Sequence, residues 1–294
     1  MKKVNRIPIN IANILLDLTS PLTADELGIR KRLGPFFGIP ETPLASIKML
    51  WEESVSSPRP EGELIYDPGS IWKMYRDENY YYAAIAYGNE GRANEAECLL
   101  RANPDWDDLK LTEKRAGAMW QSRLSIGAGE LIIRTAILFN GGLVFHASGL
   151  DDNGRGILFT GHAGAGKSTQ AELWDREPGV IVMNDDRIAV RVEQNGAMSY
   201  GTPWGGTADI ARNHSTPLSA IIIIEQAAYN KIEEVTSTAA AAILSARAFL
   251  PYWDASLMAR AMDNLNTILE NVPVYRLYCR PEKEVVSLVR SVLK

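Results

Sequence analysis

Two groups of residues in this chain have the types and spacing for chemistry on phosphate. Gly161, His162, Ala163, Gly164, Ala165, Gly166, Lys167 and Ser168 satisfy every fixed position of the pattern G-x-x-x-x-G-K-[ST]. An apolar stretch, Gly156 to Thr160, precedes them, and Lys167 to Trp174 reads as a helix, so the pattern sits where a strand turns into a helix. There, small residues let backbone N–H groups turn inward on an anion, at a helix end whose dipole favours negative charge. Lys167 would neutralise the β- and γ-phosphates of a nucleotide and Ser168 would offer its hydroxyl to Mg2+. Thr169 closes the candidate nucleotide-binding set.

The second group is Asp185 and Asp186, eighteen positions past Lys167 at their nearer member. They follow a short apolar strand, Val180 to Met183, whose carboxyl end would face a ligand crevice in a parallel sheet. Two carboxylates there can divide two tasks, one holding Mg2+ and the other taking the proton of an attacking hydroxyl. A solvated Asp-Asp turn is the plainer alternative; closeness to the glycine-rich loop favours the chemical one. His146 lies on the strand before the loop and has two readings, a satisfied core residue or a catalytic group near the γ-phosphate. His162 occupies a variable loop position and is expected to point outward. The turn Gly201 to Gly206 presents Trp204 as an exposed aromatic, followed by Arg212 and His214 as candidate substrate or phosphate contacts.

Positioning these groups requires an alternating second half, and the sequence supplies one. Strands are expected at Leu143 to Ala147, Gly156 to Thr160, Val180 to Met183, Ser219 to Glu225 and Val274 to Tyr278. Arg187 to Val192 and Ala197 to Tyr200 form a hairpin about Asn195-Gly196, two helices flank Pro251, and a helix ends the chain. That order implies an α/β core.

The first half carries fewer chemical signals and more aromatics. Thr23 to Leu27 opens a short helix, and Pro40, Pro43, Pro58 and Pro60 mark a loop-rich passage. A β-meander runs through Ile71 to Tyr75, Tyr80 to Tyr87 and Ala96 to Leu100, with turns at 76–79 and 88–91. Leu124, Leu131, Ile132 and Leu138 recur at helical spacing before Gly141-Gly142. The expected organisation is a β-rich N-terminal domain over 1–112 and a catalytic domain over 113–294, with 113–140 as a bridging helix.

Composition removes other classes. The chain has 294 residues, with 31 Lys and Arg against 36 Asp and Glu, a formal charge of −5 that offers no general basic surface to nucleic acid. Two cysteines, Cys98 and Cys279, build neither a disulfide framework nor a thiolate zinc site. The run Ile221 to Ile224 is too short to span a bilayer, and no apolar core follows the first lysines as in a signal peptide. A cytoplasmic protein acting without membrane or nucleic acid is expected.

His146-Ala147, Gly156 to Gly161, the loop through Ser168, and Asn184 to Ile188 together resemble the catalytic domain of HPr kinase/phosphorylase, over about residues 140–225. The resemblance implies an α/β P-loop kinase core of the type shared with ATP-dependent phosphoenolpyruvate carboxykinase, beside a β-rich α+β N-terminal domain. It implies Asp185 as general base, Asp186 as its metal-side partner with Ser168, and a catalytic part for His146. The family's Glu-x-Arg-Gly-Leu-Gly segment is replaced by Thr202 to Gly206, and its Pro-Gly-Arg-Asn loop is absent, helices with Arg247 and Arg260 standing there instead. Both departures point away from HPr as substrate and from phosphorolysis. The layout is more similar to HPr-kinase-related proteins of peptide-modifying clusters, including kinases of lasso-peptide precursors. Other relatives act on free serine. HPr kinases are hexamers, so the resemblance also implies a homo-oligomer.

The expectation is an ATP- and Mg2+-dependent kinase of a serine-type hydroxyl on a peptide or protein. Its alternatives are a kinase of free serine or another small hydroxyl metabolite, and an ATP-binding regulatory module without transfer.

Overall fold

The computed structural model describes residues 4–86, 96–115, 117 and 120–293. The turn expected at 88–91 and the end of the strand expected through Tyr87 lie outside them. The fold is mixed α/β with two multi-stranded sheets. The chain divides into two units, Met1–Ala136 with Tyr252–Ala255, and Ile137–Pro251 with Ser256–Lys294.

In the first unit β1 (Asn5–Ile11) and β2 (Ile14–Ser20) form a hairpin that turns at Ala12 and Asn13, both at positive φ. Ile7, Ile9 and Ile11 alternate inward, as a half-buried strand requires. Neither strand is among those expected from the sequence. Thr23 and Glu26 exchange the hydrogen bonds of a capping box, yet residues 24–28 only turn, and the helix expected there is the four-residue α1 (Arg30–Leu33).

The remaining strands are β3 (Ala45–Ser54), β4 (Glu63–Tyr66), β5 (Trp72–Arg76), β6 (Tyr81–Ile85), β7 (Cys98–Ala102) and β8 (Asp108–Lys114). They lie in the order β1-β2-β3-β8-β7-β6-β5-β4. The meander β5-β6-β7 forms as its aromatic-rich runs imply.

A bridging helix over 113–140 does not form at that length. Leu109, Leu111 and Glu113 alternate inward, which makes β8 a strand, and Glu113 is buried against the Trp51 indole N–H and the Arg123 backbone N–H, each at 2.6 Å. Helix α2 spans only Ala128–Phe139, after Gly127 at φ 76°.

The second unit follows its expected order closely. It comprises β9 (Gly142–Asp152), β10 (Gly156–Thr160), α3 (Lys167–Trp174), β11 (Val180–Asn184), β12 (Arg187–Glu193), β13 (Gly196–Gly201), β14 (Ser215–Gln226), β15 (Lys231–Glu234), α4 (Ser237–Ser245), α5 (Ala255–Asn271), β16 (Val274–Cys279) and α6 (Glu284–Arg290). Two long strands serve two neighbourhoods each. The start of β9 pairs with β12 and its end with β10 and β11. The start of β14 pairs with β13, and its remainder runs parallel to both β10 and β16.

That parallel trio explains the unbroken isoleucines 221–224, because a strand covered on both faces needs apolar residues at every position. Phe159, Ile222 and Leu277 pack there with Trp174 of α3 and Val285, Val286 and Val289 of α6. Among the described residues no helix is long and apolar enough to cross a membrane.

Candidate functional site

The loop 161–166 leaves the carboxyl end of β10, and its residues are small for separate reasons. A Cβ on Gly161 would stand 2.8 Å from the Ala165 Cβ and 3.0 Å from the Ile224 carbonyl oxygen, so this position has no room for a side chain. Gly164 and Gly166 have open space around them but take φ of 79° and 108°, which side chains disfavour. Gly166 is the residue before α3, and no side chain caps that helix start. No side chain therefore competes with an anion for its first-turn N–H groups. Gln226, at the end of β14, donates from Nε2 to the Gly164 carbonyl at 2.8 Å and braces the loop. The exposed His162 ring turns back on the Ala163 carbonyl, while Ser168 and Thr169 are exposed on the first turn of α3.

The corner between β11 and β12 is shaped by Asn184, a residue given no role in the sequence reading. Its Oδ1 accepts the N–H groups of Asp186 and Arg187, both at 2.7 Å, and its Nδ2 donates to the carbonyls of Thr202 and Trp204. Consecutive carboxylates on this corner face different partners. Asp185 is 3% exposed and accepts the N–H of Gly206 at 2.7 Å and of Ala208 at 2.8 Å, one on each oxygen. Both Asp185 oxygens thus hold the 202–208 loop, each with one N–H. Gly205 and Gly206 are required beside it, a Cβ on either falling within 3.0 Å of the Asp185 carboxylate. The paired glycines were the sequence signal for this packing.

Asp186 faces the other way. Its Oδ1 lies 2.8 Å from His146 Nε2, and its Oδ2 pairs with Arg187. Burial pushes the Asp186 carboxyl up, but the His146 hydrogen bond and the charges of Arg187 and Lys167 outweigh it and hold the group below the ordinary carboxylate range. Burial also keeps the Lys167 ammonium below the usual lysine range; Asp186 opposes that and Arg247 adds to it. Lys167, Asp186 and Arg247 therefore share one electrostatic neighbourhood. The backbone makes this possible: Ser148 Oγ donates to the Lys167 carbonyl, Thr160 Oγ1 to the His146 carbonyl, and the Ala147 N–H to the Asp186 carbonyl. The His146 N–H binds the Arg247 carbonyl at 2.7 Å, which brings Arg247 alongside β9. His146 itself is exposed, so the core reading of it does not hold.

Four other candidates stand elsewhere. Trp204 is buried, because Asn184 and Asp185 draw its loop inward, and is not the exposed aromatic expected. His214 Nε2 binds Asp151 at 2.8 Å near the far end of β9, five residues beyond His146. Arg260 is exposed on α5 with its guanidinium 5.0 Å over the Phe139 ring. Arg212 is exposed, its backbone N–H bound to the Met183 carbonyl.

Residues 119–281, more than half of the chain, match the family model described as SynChlorMet cassette protein ScmC. The chain belongs to this family. The matched span runs from just before α2 through the glycine-rich loop and the Asn184 corner to the end of β16. The chain has no match among curated proteins. Among solved structures it is similar to the HPr(Ser) kinase/phosphatase from Coxiella burnetii, at 17% identity over 50% of this chain and 94% of that one, with a TM-score of 0.30.

The residues present suit Mg2+ bound together with a nucleotide. Among the described residues no group of three His, Cys, Asp or Glu side chains could hold a metal. The local donors are instead oxygens, the exposed Ser168 hydroxyl and the Asp186 carboxylate, beside uncapped N–H groups. Mg2+ is commonly held by one or two protein oxygens, with phosphate and water completing its shell.

Proposed function

We propose that this ScmC-family chain is an ATP- and Mg2+-dependent phosphotransferase acting on a serine-type hydroxyl of a peptide or protein. The observation that carries the reading is the backbone tie of β9 both to Lys167, at the start of α3 behind a left-handed glycine, and to Asp186 at the next strand end, which sets the two charges in one neighbourhood. The loop N–H groups and Lys167 would hold the nucleotide phosphates, and Ser168 with phosphate and water oxygens would hold Mg2+. Bound there, Mg2+ supplies positive charge to the transferring phosphoryl group.

Asp186, rather than Asp185, takes the proton of the attacking hydroxyl in this reading. His146 holds that carboxylate in one orientation and helps keep it ionised. Arg247 stands where a phosphate or acidic group of the acceptor would be neutralised. Positioning and fixed charge supply most of the rate in phosphoryl transfer, so a rigid corner serves better than a mobile one. The tethered 202–208 loop also speaks against a switch in which ATP orders the Trp204 turn, because Asn184 and Asp185 already hold that loop.

The family name places its members in a cassette, which agrees with action on a product of the same cassette. Incubation with γ-labelled ATP tests the reading, with a serine peptide library in one arm and free serine in another. Label on a serine hydroxyl supports it, and the arm in which label appears decides between peptide and metabolite.

A further inference from the structure

A cavity of about 360 Å³ opens beyond the carboxyl ends of β14 and β16. Because β10, β14 and β16 run parallel, all three carboxyl ends lie on the side from which the glycine-rich loop departs. Gly166 and Thr169 line the cavity, so it is continuous with the start of α3. Its walls are mostly apolar, from Ile224, Ala227, Cys279 and Pro281, with the exposed Arg280 also lining it. Gln226 lines it as well while bracing Gly164, which couples the cavity to the loop's shape.

One polar group in this wall has unmet bonding capacity. Gln170 is 2% exposed, and its Oε1 has no hydrogen-bond partner. Its Nε2 has only the Cys279 sulfur, at 3.7 Å, a weak acceptor. A buried carboxamide oxygen without a partner is costly, and such a group in a cavity wall invites a donor from a ligand. The Cys279 sulfur engages Nε2, which leaves the oxygen as the atom the carboxamide offers to an occupant. Apolar walls with one polar reader suit a flat heteroaromatic ring, and the size falls within the range of small-molecule sites.

We propose that this cavity receives the purine base of the nucleotide whose phosphates the loop holds, and that Gln170 selects adenine by accepting a hydrogen bond from its 6-amino group. The assignment rests on the phosphate-loop reading above and adds to it the side of the loop on which the nucleoside lies. Donor nucleoside and acceptor hydroxyl then approach the phosphates from opposite directions, the base past β14 and β16 and the hydroxyl past Asp186.

Binding of ATP, inosine triphosphate and inorganic tripolyphosphate, each with Mg2+, to the full-length chain tests this by calorimetry. Inosine triphosphate carries a 6-oxo acceptor where ATP has the amino donor, and tripolyphosphate lacks the base altogether. Wild type should bind ATP about tenfold more tightly than inosine triphosphate, the scale of one unmet buried hydrogen bond. Gln170→Leu should bring the two within about twofold of each other. Ala227→Trp, which fills the cavity, should weaken ATP at least about tenfold and leave tripolyphosphate unchanged, which also shows that the variant is folded. ATP binding unaffected by Ala227→Trp, or a nucleotide preference unaffected by Gln170→Leu, would overturn the base assignment while leaving the phosphate loop standing. If tripolyphosphate and ATP both fail to bind wild type, the phosphate-loop reading falls and takes this one with it.

Discussion

His146 Nε2 lies 2.8 Å from Asp186 Oδ1. The neighbouring Asp185 points into the protein and spends both oxygens on the N–H groups of Gly206 and Ala208. One carboxylate of the pair thus stands in the neighbourhood of Lys167 and the other ties down Gly206 and Ala208, 21 and 23 residues on. Asn184 creates the division, since the two N–H groups it accepts fix the turn on which Asp185 and Asp186 diverge.

Substitution should separate the two. Asp186→Asn should lower phosphoryl transfer by about 10²–10⁴-fold, the range for a lost general base, with ATP binding retained. Asp185→Ala should instead cost about 2–3 kcal/mol of stability in urea unfolding, because two buried N–H groups lose a charged acceptor. An Asp185→Ala chain as stable as wild type would show that the loop does not depend on this carboxylate.

The pH dependence follows from the same contacts. The Asp186 carboxyl titrates below its unfolded value of about 3.9, so its contribution to stability is complete above about pH 4 and is lost as pH falls through the folded value. Asp186 should therefore contribute no acid limb to kcat/KM above about pH 4. His146→Gln removes the foremost of the contacts that lower this pKa, so the acid limb due to Asp186 should move upward. A limb that stays in place in the variant contradicts the pairing.

Gly166 carries the turn into α3 at φ 108°, with nothing within 4 Å of where a Cβ would stand. The cost of Gly166→Ala is accordingly one of backbone conformation, about 1–2 kcal/mol. Relief of that strain would turn the first N–H groups of α3, so tripolyphosphate binding should fall at least about tenfold. Unchanged binding in a stable variant would show that the left-handed turn is dispensable.

Far from the loop, Arg290 of α6 holds the fully buried Asp152 through two hydrogen bonds, 2.9 and 3.0 Å, and reaches Glu177 as well. Burial pushes the Asp152 carboxyl up, but Arg290, Asn153 and Arg155 outweigh it and leave the group below its ordinary range. Arg290→Ala should destabilise the chain by about 3 kcal/mol, the lower end for breaking a buried pair because Arg155 remains. The difference from wild type should shrink as pH falls below about 4 and Asp152 protonates in both chains. A constant difference across that range would contradict the ion-pair account.

Local patterns made much of the second unit legible in the sequence. The loop glycines, the span of α3, the unbroken isoleucines of β14 and the Asn195-Gly196 turn each carry a short-range signal that tertiary packing did not override. The alternation of Ile7, Ile9 and Ile11 is an equally local signal, but it follows the first lysines, where only a signal peptide was weighed. Residues 108–114 misled for a different reason, because a strand with the polar Glu113 facing inward does not stand out from its helix-like surroundings. The separate duties of Asp185 and Asp186 were hidden, since adjacent residues share a sequence position in all but number and only the Gly206 and Ala208 N–H groups distinguish them. Trp204 could not be placed from sequence because its burial depends on the same distant bonds.

The most direct test is transfer of label from γ-labelled ATP to a serine hydroxyl, with wild type, Asp186→Asn and Lys167→Met compared side by side in peptide-library and free-serine arms. The expected result is label on a serine hydroxyl with wild type and its loss by orders of magnitude in both variants. Tight ATP binding by wild type with neither transfer nor hydrolysis, or transfer undiminished in Asp186→Asn, would contradict the account.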